Sequence, residues 1–345
     1  EICSRDWSSD VCSSDLGLEA AGALKNLGVE THVIEFAPML MAEQLDQMGG
    51  EQLRRKIESM GVRVHTSKNT KEIVQEGTEA RKTMRFADGS ELEVDFIVFS
   101  TGIRPRDKLA TQCGLDVAPR GGIVINDTCQ TSDPDIYAIG ECASWNNRVY
   151  GLVAPGYKMA QVAVDHILET ENAFEGADLS AKLKLLGVDV ASFGDAQGRT
   201  PGCQSYQWTD GPQQIYKKIV VSQDGKALLG GVLVGDASDY ATLLQMMLNG
   251  MALPPRPESL ILPALEGAAP KALGVAALPD SAPICSCHNV SKGDICQAVN
   301  NGAGDMSAIK SCTRAATGCG GCSALVKQVM EYQLAEQGVE VKKDV

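Results

Sequence analysis

Four cysteines near the end of the sequence have the types and spacing for metal chemistry: Cys285 and Cys287 in a C-x-C, and Cys319 and Cys322 in a C-x-x-C. Thiolates are soft ligands that suit an iron–sulfur cluster or zinc. Ligand type alone leaves both open, but the surroundings favour the cluster. Gly318, Gly320 and Gly321 let the backbone curl round Cys319 and Cys322 and aim N–H groups at sulfur. An apolar-periodic run from Ala324 predicts a helix whose N-terminus favours the negative charge of such a centre. Lys310 and Arg314 add nearby cations, although a solvated surface charge explains them equally well.

The elements that position these thiols are also legible. Ser291 followed three residues later by Asp294, ahead of Ile295-Cys296-Gln297-Ala298-Val299, predicts a helix opened by a capping box. Cys296 falls on its apolar face as a small buried residue, and Cys312 is placed near the centre without ligating it. This arrangement resembles the bacterioferritin-associated-ferredoxin-like [2Fe–2S] module. The resemblance implies Cys285, Cys287, Cys319 and Cys322 as the ligands, with two small helices between the pairs.

Composition bounds the rest. The 345 residues suggest two or three domains, the 44% hydrophobic content suffices for buried cores, and the net charge of −13 argues against nucleic acid or an anionic membrane as partner. No run reaches transmembrane length. Twelve cysteines without a secretory signal read as thiol and metal chemistry in a reducing cytoplasm.

Residues 1–16 are polar, repeat Ser-Ser-Asp and follow neither a strand nor a helix period, and we expect a foreign segment joined to an interrupted reading frame. A helix opening at Gly17 follows, then a β-rich run from Val29 to Glu35, which is the latter part of a dinucleotide-binding βαβ unit. Gly17 takes the place of the third glycine of G-x-G-x-x-G; the first strand and two glycines are missing. Glu43 to Met60 is expected to be helical, with Leu45, Met48, Leu53, Ile57 and Met60 on its apolar face, and 62–65 a strand. Short strands are expected near 71–76, 82–87 and 90–94, with Asp88-Gly89 a hairpin turn. The continuous apolar run 95–100 predicts a strand covered on both faces.

That run enters Thr101-Gly102-Ile103-Arg104-Pro105, and Thr131 to Cys142 ends in Ile139-Gly140-Glu141-Cys142. In this order the two motifs resemble the pyridine-nucleotide:disulfide oxidoreductase superfamily. The resemblance implies FAD, with Thr101 and Gly102 at its site, Gly140 approaching the pyrophosphate, and Glu141, in place of the commoner Asp, accepting from a ribityl or ribose hydroxyl. It also implies that the helix beginning around Pro155 and carrying Tyr157 starts under the flavin, and that Glu19 lies close to the nicotinamide. Glu35 would accept from the adenosine 2′-OH and favour NADH. His32 and His65 read as structural. No side chain is assigned a catalytic role.

Residues 170–184 read as a polar connection. From 188 the β-rich runs 188–193, 204–208, 215–221 and 228–234, then a helix from Tyr240 to Asn249, resemble the C-terminal domain of NADH-dependent rubredoxin and ferredoxin reductases. The fold class expected is α/β: a partial flavoprotein with two Rossmann-like dinucleotide-binding domains, a small α+β domain and a small helical [2Fe–2S] domain. Its segments are 17–97 for NAD(H), 98–170 for the returning part of the FAD domain, 184–253 for the α+β domain, 254–283 as linker, 284–335 for the cluster and 336–345 as tail. This order resembles the large-subunit family of NAD(P)H-dependent assimilatory nitrite reductases. The resemblance implies electron flow from NADH to FAD to the cluster, then to a sirohaem–[4Fe–4S] centre that reduces nitrite to ammonium, with a small reductase subunit as a possible partner. The sirohaem signature C-x5-C and C-x3-C does not occur in these residues. An NADH-dependent electron-transfer subunit for assimilatory nitrate reductase shares the module order, and a non-enzymatic metal-binding module is the third reading.

Overall fold

The computed structural model describes residues 15–75, 81–263, 275–285, 288–318 and 322–338. They fall into two compact units, one made of 1–102 with 180–263 and the other of 103–179 with 264–345.

The first unit opens with α1 (Asp15–Asn26), β1 (His32–Ile34), α2 (Gln47–Ser59) and β2 (Arg63–His65). β1 and β2 pair in parallel, as a strand–helix–strand crossover requires. Helix α2 is capped by Asp46, whose carboxylate accepts the Gly49 N–H at 3.0 Å. Leu53 and Ile57, one turn apart, are fully buried beside Leu45, each burial stabilising by about 1.5–3 kcal/mol. Met48 departs from the expected apolar face and is 51% exposed. β3 (Thr70–Val74), β4 (Lys82–Phe86) and β5 (Glu91–Val94) form an antiparallel meander, turned at Asp88-Gly89 as expected.

The strand expected over 95–100 does not form. No strand pairs with this run among the described residues, and Phe96, Val98 and Phe99 are about half exposed. An apolar run without a pairing partner cannot satisfy its backbone as a strand, whatever its composition.

The second unit begins with α3 (Lys108–Gln112), the parallel pair β6 (Ile123–Ile125) and β7 (Ala143–Trp145), and α4 (Val153–Ile167). Its core gathers Ile125, Ala143, Tyr150, Met159, Val162 and Phe174.

The chain then returns to the first unit as a five-stranded antiparallel sheet: β8 (Ala181–Leu185), β9 (Val188–Gly194), β10 (Gln204–Asp210), β11 (Ile215–Val221) and β12 (Leu228–Val234), in the order β10-β11-β12-β9-β8. β8 lies in the expected polar connection; its lysines alternate with Leu183 and Leu185, and Leu186 closes the turn to β9 against Gly22 of α1. Helix α5 (Tyr240–Leu248) packs on β12 and β9, and α2 packs on β9, β11 and β12. One core therefore joins Leu18, Leu45, Leu53 and Ile57 to Val188, Val190, Tyr216, Val232 and Val234.

The expected linker begins with a 3₁₀ turn at Pro257–Leu260 and ends with another at Val275–Ala277. The second unit resumes with β13 (Pro283–Cys285), β14 (Val290–Ser291), α6 (Lys292–Asn300), α7 (Met306–Thr313) and α8 (Ser323–Glu336). The capping box forms as read: Ser291 accepts the Asp294 N–H while the Asp294 carboxylate accepts the Ser291 N–H at 2.8 Å. Among the described residues no helix is long and apolar enough to cross a membrane.

Candidate functional site

In the first unit, α1 packs on β1, so the start of the helix and the end of the strand lie at the same end of the βαβ unit. Gly17 and Glu19 sit in the first turns of α1, and Glu35 immediately follows β1. Its carboxylate accepts the Ala37 N–H at 2.7 Å, which fixes one oxygen and leaves carboxylate capacity for a hydroxyl donor. Burial, outweighing the Ala37 and Phe36 N–H groups, raises the Glu35 pKa above the ordinary carboxylate value. The nearby Lys68 is engaged elsewhere, with Asp88 at 2.6 Å and Ser90 at 2.7 Å. Thr101 and Gly102 are exposed, and Gly102 holds a positive φ of 93° that favours glycine.

His32 and His65 stack 5.2 Å apart across β1 and β2, with Nδ1 of one 3.0 Å from Nε2 of the other. Burial, with His32 and Lys68 close by, lowers the His65 pKa.

In the second unit, Gly140, Glu141 and Cys142 form a 3₁₀ turn between the 136–139 run and β7. Gly140 has φ 76° and no atom within 4 Å of where a Cβ would stand, so its backbone is open to a close ligand. Its N–H points at Met159 Sδ, 3.3 Å away. One turn earlier on α4, Gly156 comes so close that a Cβ there would meet Gly140 Cα at 3.3 Å. The turn and the first turns of α4 are thereby locked together, with Tyr157 one residue further on. Helix α4 starts at Leu152 without a side-chain cap, and Ile139, Leu152, Val153 and Tyr157 are 42%, 40%, 62% and 49% exposed around it. An open glycine, an uncapped helix start and an apolar rim suit the diphosphate and ring of FAD.

Cys285 is buried at the end of β13, and Cys322 is half-buried immediately before α8. Cys287 and Cys319 lie outside the described residues. The helices α6 and α7 stand between the two pairs, as the resemblance implied. Cys312 is exposed on α7, while Cys296 is half-buried on α6 and its pKa is raised by burial. Soft thiolates beside a helix start fit a [2Fe–2S] cluster.

His288 follows the C-x-C directly, and reading the motif assigned it no role. Its Nε2 lies 3.1 Å from Thr317 Oγ1, two residues before Cys319. Its ring also meets that of Tyr157, with centroids 6.4 Å apart. Its position next to Cys287 was the available signal.

Three family models match in succession: pyridine nucleotide-disulphide oxidoreductase over residues 12–166, the rubredoxin NAD+ reductase C-terminal domain over 180–251, and the BFD-like [2Fe-2S] binding domain over 283–332. The chain is 76% identical over 330 residues to the nitrite reductase (NADH) large subunit of Escherichia coli, covering 96% of this chain and 39% of that protein. It is 36% identical to an assimilatory nitrate reductase electron transfer subunit of Bacillus subtilis, covering 92% and 40%. It thus spans about two fifths of these relatives. Among solved structures, an NAD-dependent persulfide reductase from A. fulgidus matches with TM-score 0.60 and 26% identity, over 70% of this chain and 48% of that one. With the three segments in this order, the chain belongs to the large-subunit family of the NAD(P)H nitrite reductases, of which it spans the flavoprotein reductase and BFD-like part.

Proposed function

We propose that this chain takes a hydride from NADH and delivers the electrons, through FAD, to a [2Fe–2S] cluster on the way to the reduction of nitrite. FAD supplies the change from two-electron to one-electron chemistry. The chain's own residues bind and orient. Glu35 accepts from the adenosine 2′-OH and disfavours a 2′-phosphate, Gly17 and Glu19 line the dinucleotide end of α1, and Thr101, Gly102, Gly140 and Glu141 hold the flavin nucleotide. Tyr157 lies beside the ring. Cys285, Cys287, Cys319 and Cys322 ligate the cluster. Segments 17–97, 98–170 and 284–335 carry NADH, FAD and the cluster respectively. The nitrite-reducing sirohaem–[4Fe–4S] centre and any small subunit belong to parts of the assembly beyond these residues.

The observation that carries this reading is the lock between Gly140 and Gly156, which joins the flavin-motif turn to the start of α4 in the same unit as Cys285 and Cys322. Support for nitrite rather than nitrate assimilation comes from the higher identity to the nitrite reductase subunit, 76% against 36%. Anaerobic addition of NADH to the FAD- and cluster-loaded protein should bleach the flavin band and produce the electron-spin signal of a reduced [2Fe–2S] cluster. Flavin that stays oxidised with NADH in excess would overturn the reading.

A further inference from the structure

Between the flavin-motif turn and the cysteine loops lies a short relay of contacts that no metal ligand or nucleotide contact explains. Gly156 rests on Gly140, Tyr157 is the next residue, and the Tyr157 ring meets the His288 ring at 6.4 Å, tilted by 41°. His288 in turn reaches Thr317 at 3.1 Å. The Thr317 hydroxyl also reaches the Arg314 carbonyl at 2.8 Å. Arg314 ends α7 in the left-handed conformation, φ 62°, and turns the chain out of the helix. Asn289, just past His288, is also left-handed at φ 50°. Two turned segments, one following the C-x-C and one preceding the C-x-x-C, are therefore tied by the His288–Thr317 bond, and the tie bears on α4 through the Tyr157–His288 ring contact.

We propose that Tyr157, His288 and Thr317 are positioning residues, which clamp the two cysteine loops together and seat them on the first turns of α4 so that the flavin-to-cluster spacing is fixed. This rests on the reading that α4 begins at the flavin and that the four cysteines hold the cluster. A side chain that holds ligand loops and a donor site in register contributes through geometry, since small displacements cost electron transfer and catalysis steeply.

The test uses the holoprotein loaded with FAD and cluster, mixed rapidly with NADH, and compares flavin bleaching with the appearance of the reduced-cluster signal in each variant. In His288→Ala the cluster should lag behind the flavin by on the order of tenfold or more relative to the parent. Hydrogen exchange over 153–160 should rise in the same variant. His288→Phe, which restores a ring against Tyr157 but not the bond to Thr317, should recover the protection over 153–160, and Thr317→Val, which removes that bond alone, should show the lag with the parent's protection. Tyr157→Leu approaches the contact from α4 without touching the cysteine loops and should show the same lag. A His288→Ala protein with no lag and unchanged exchange, or a His288→Phe protein as unprotected over 153–160 as His288→Ala, would overturn the proposal alone. A parent that holds FAD but no iron and sulfide would overturn the underlying reading and the proposal with it.

Discussion

The Asp46 carboxylate and the Lys218 ammonium meet at 3.0 Å, joining the N-cap of α2 to the middle of the five-stranded sheet. One Asp46 oxygen caps α2 at Gly49, and the other accepts from both Lys218 and the Tyr216 hydroxyl at 2.7 Å. Lys218 is nearly fully buried and donates as well to the Ala196 carbonyl at 3.1 Å. Burial, reinforced by Asp46, drives the Tyr216 pKa upward, so the hydroxyl remains a donor. Removing Asp46 strands a buried cation and uncaps a helix. Asp46→Ala should therefore cost about 3–5 kcal/mol in a denaturant titration. A loss below about 1 kcal/mol, the range of exposed pairs, would show that the pair is not the tie described.

Lys217, the neighbour of Lys218, is held by Asp236 at 2.6 Å and Asp239 at 2.7 Å. Burial works against charge on Asp236, but the bonds from Lys217 and Ser238 prevail and lower its pKa to about 2. A carboxyl with a depressed folded pKa contributes stability above its unfolded value, 3.8, and loses it as pH falls toward about 2. Melting temperature should accordingly drop across that window in the parent, and less in Asp236→Asn. Equal slopes in the two proteins would remove Asp236 from the acid response.

Glu35 shifts the other way, because burial raises its pKa. Its ionised form is the better acceptor for a ribose hydroxyl, so NADH affinity should weaken as pH falls, and should do so earlier than an ordinary carboxylate would allow. Glu35→Gln should flatten that dependence and narrow the preference for NADH over NADPH. An unaltered preference in Glu35→Gln, measured as relative flavin-reduction rates, would release Glu35 from the specificity role.

Ser291 and Asp294 show what a sequence can disclose: a capping box is local, four residues long and chemically explicit, and it formed as read. Replacing Ser291 with Ala should lower the stability of the cluster module by about 1 kcal/mol, seen as earlier loss of the cluster's visible absorption on heating. No change in that profile would mean that the box contributes nothing once the metal is bound.

Local signals of the same kind marked α2 and the Asp88-Gly89 hairpin. The failures were non-local. The 95–100 run has the composition of a covered strand, yet strands exist only in pairs, and composition does not name the partner. β8 was hidden because alternating lysines made it look like solvent-exposed connection. Buried Lys217 and Lys218 were invisible for the same reason, since their partners Asp46, Asp236 and Asp239 are brought to them by the fold. His288 stood in plain view beside Cys287, but its contact with Tyr157 joins residues 131 positions apart, and only the folded chain brings them together.

The central claim is that four cysteines hold a [2Fe–2S] cluster that receives electrons from NADH, and elemental analysis tests it most directly. Iron and acid-labile sulfide in the anaerobically purified chain should each approach about two per molecule. Serine at Cys285, Cys287, Cys319 or Cys322 should abolish that content or distort the reduced spectrum, whereas serine at Cys296 or Cys312 should preserve both. Stoichiometric zinc without sulfide, or a full cluster complement in a Cys322→Ser protein, would contradict the account.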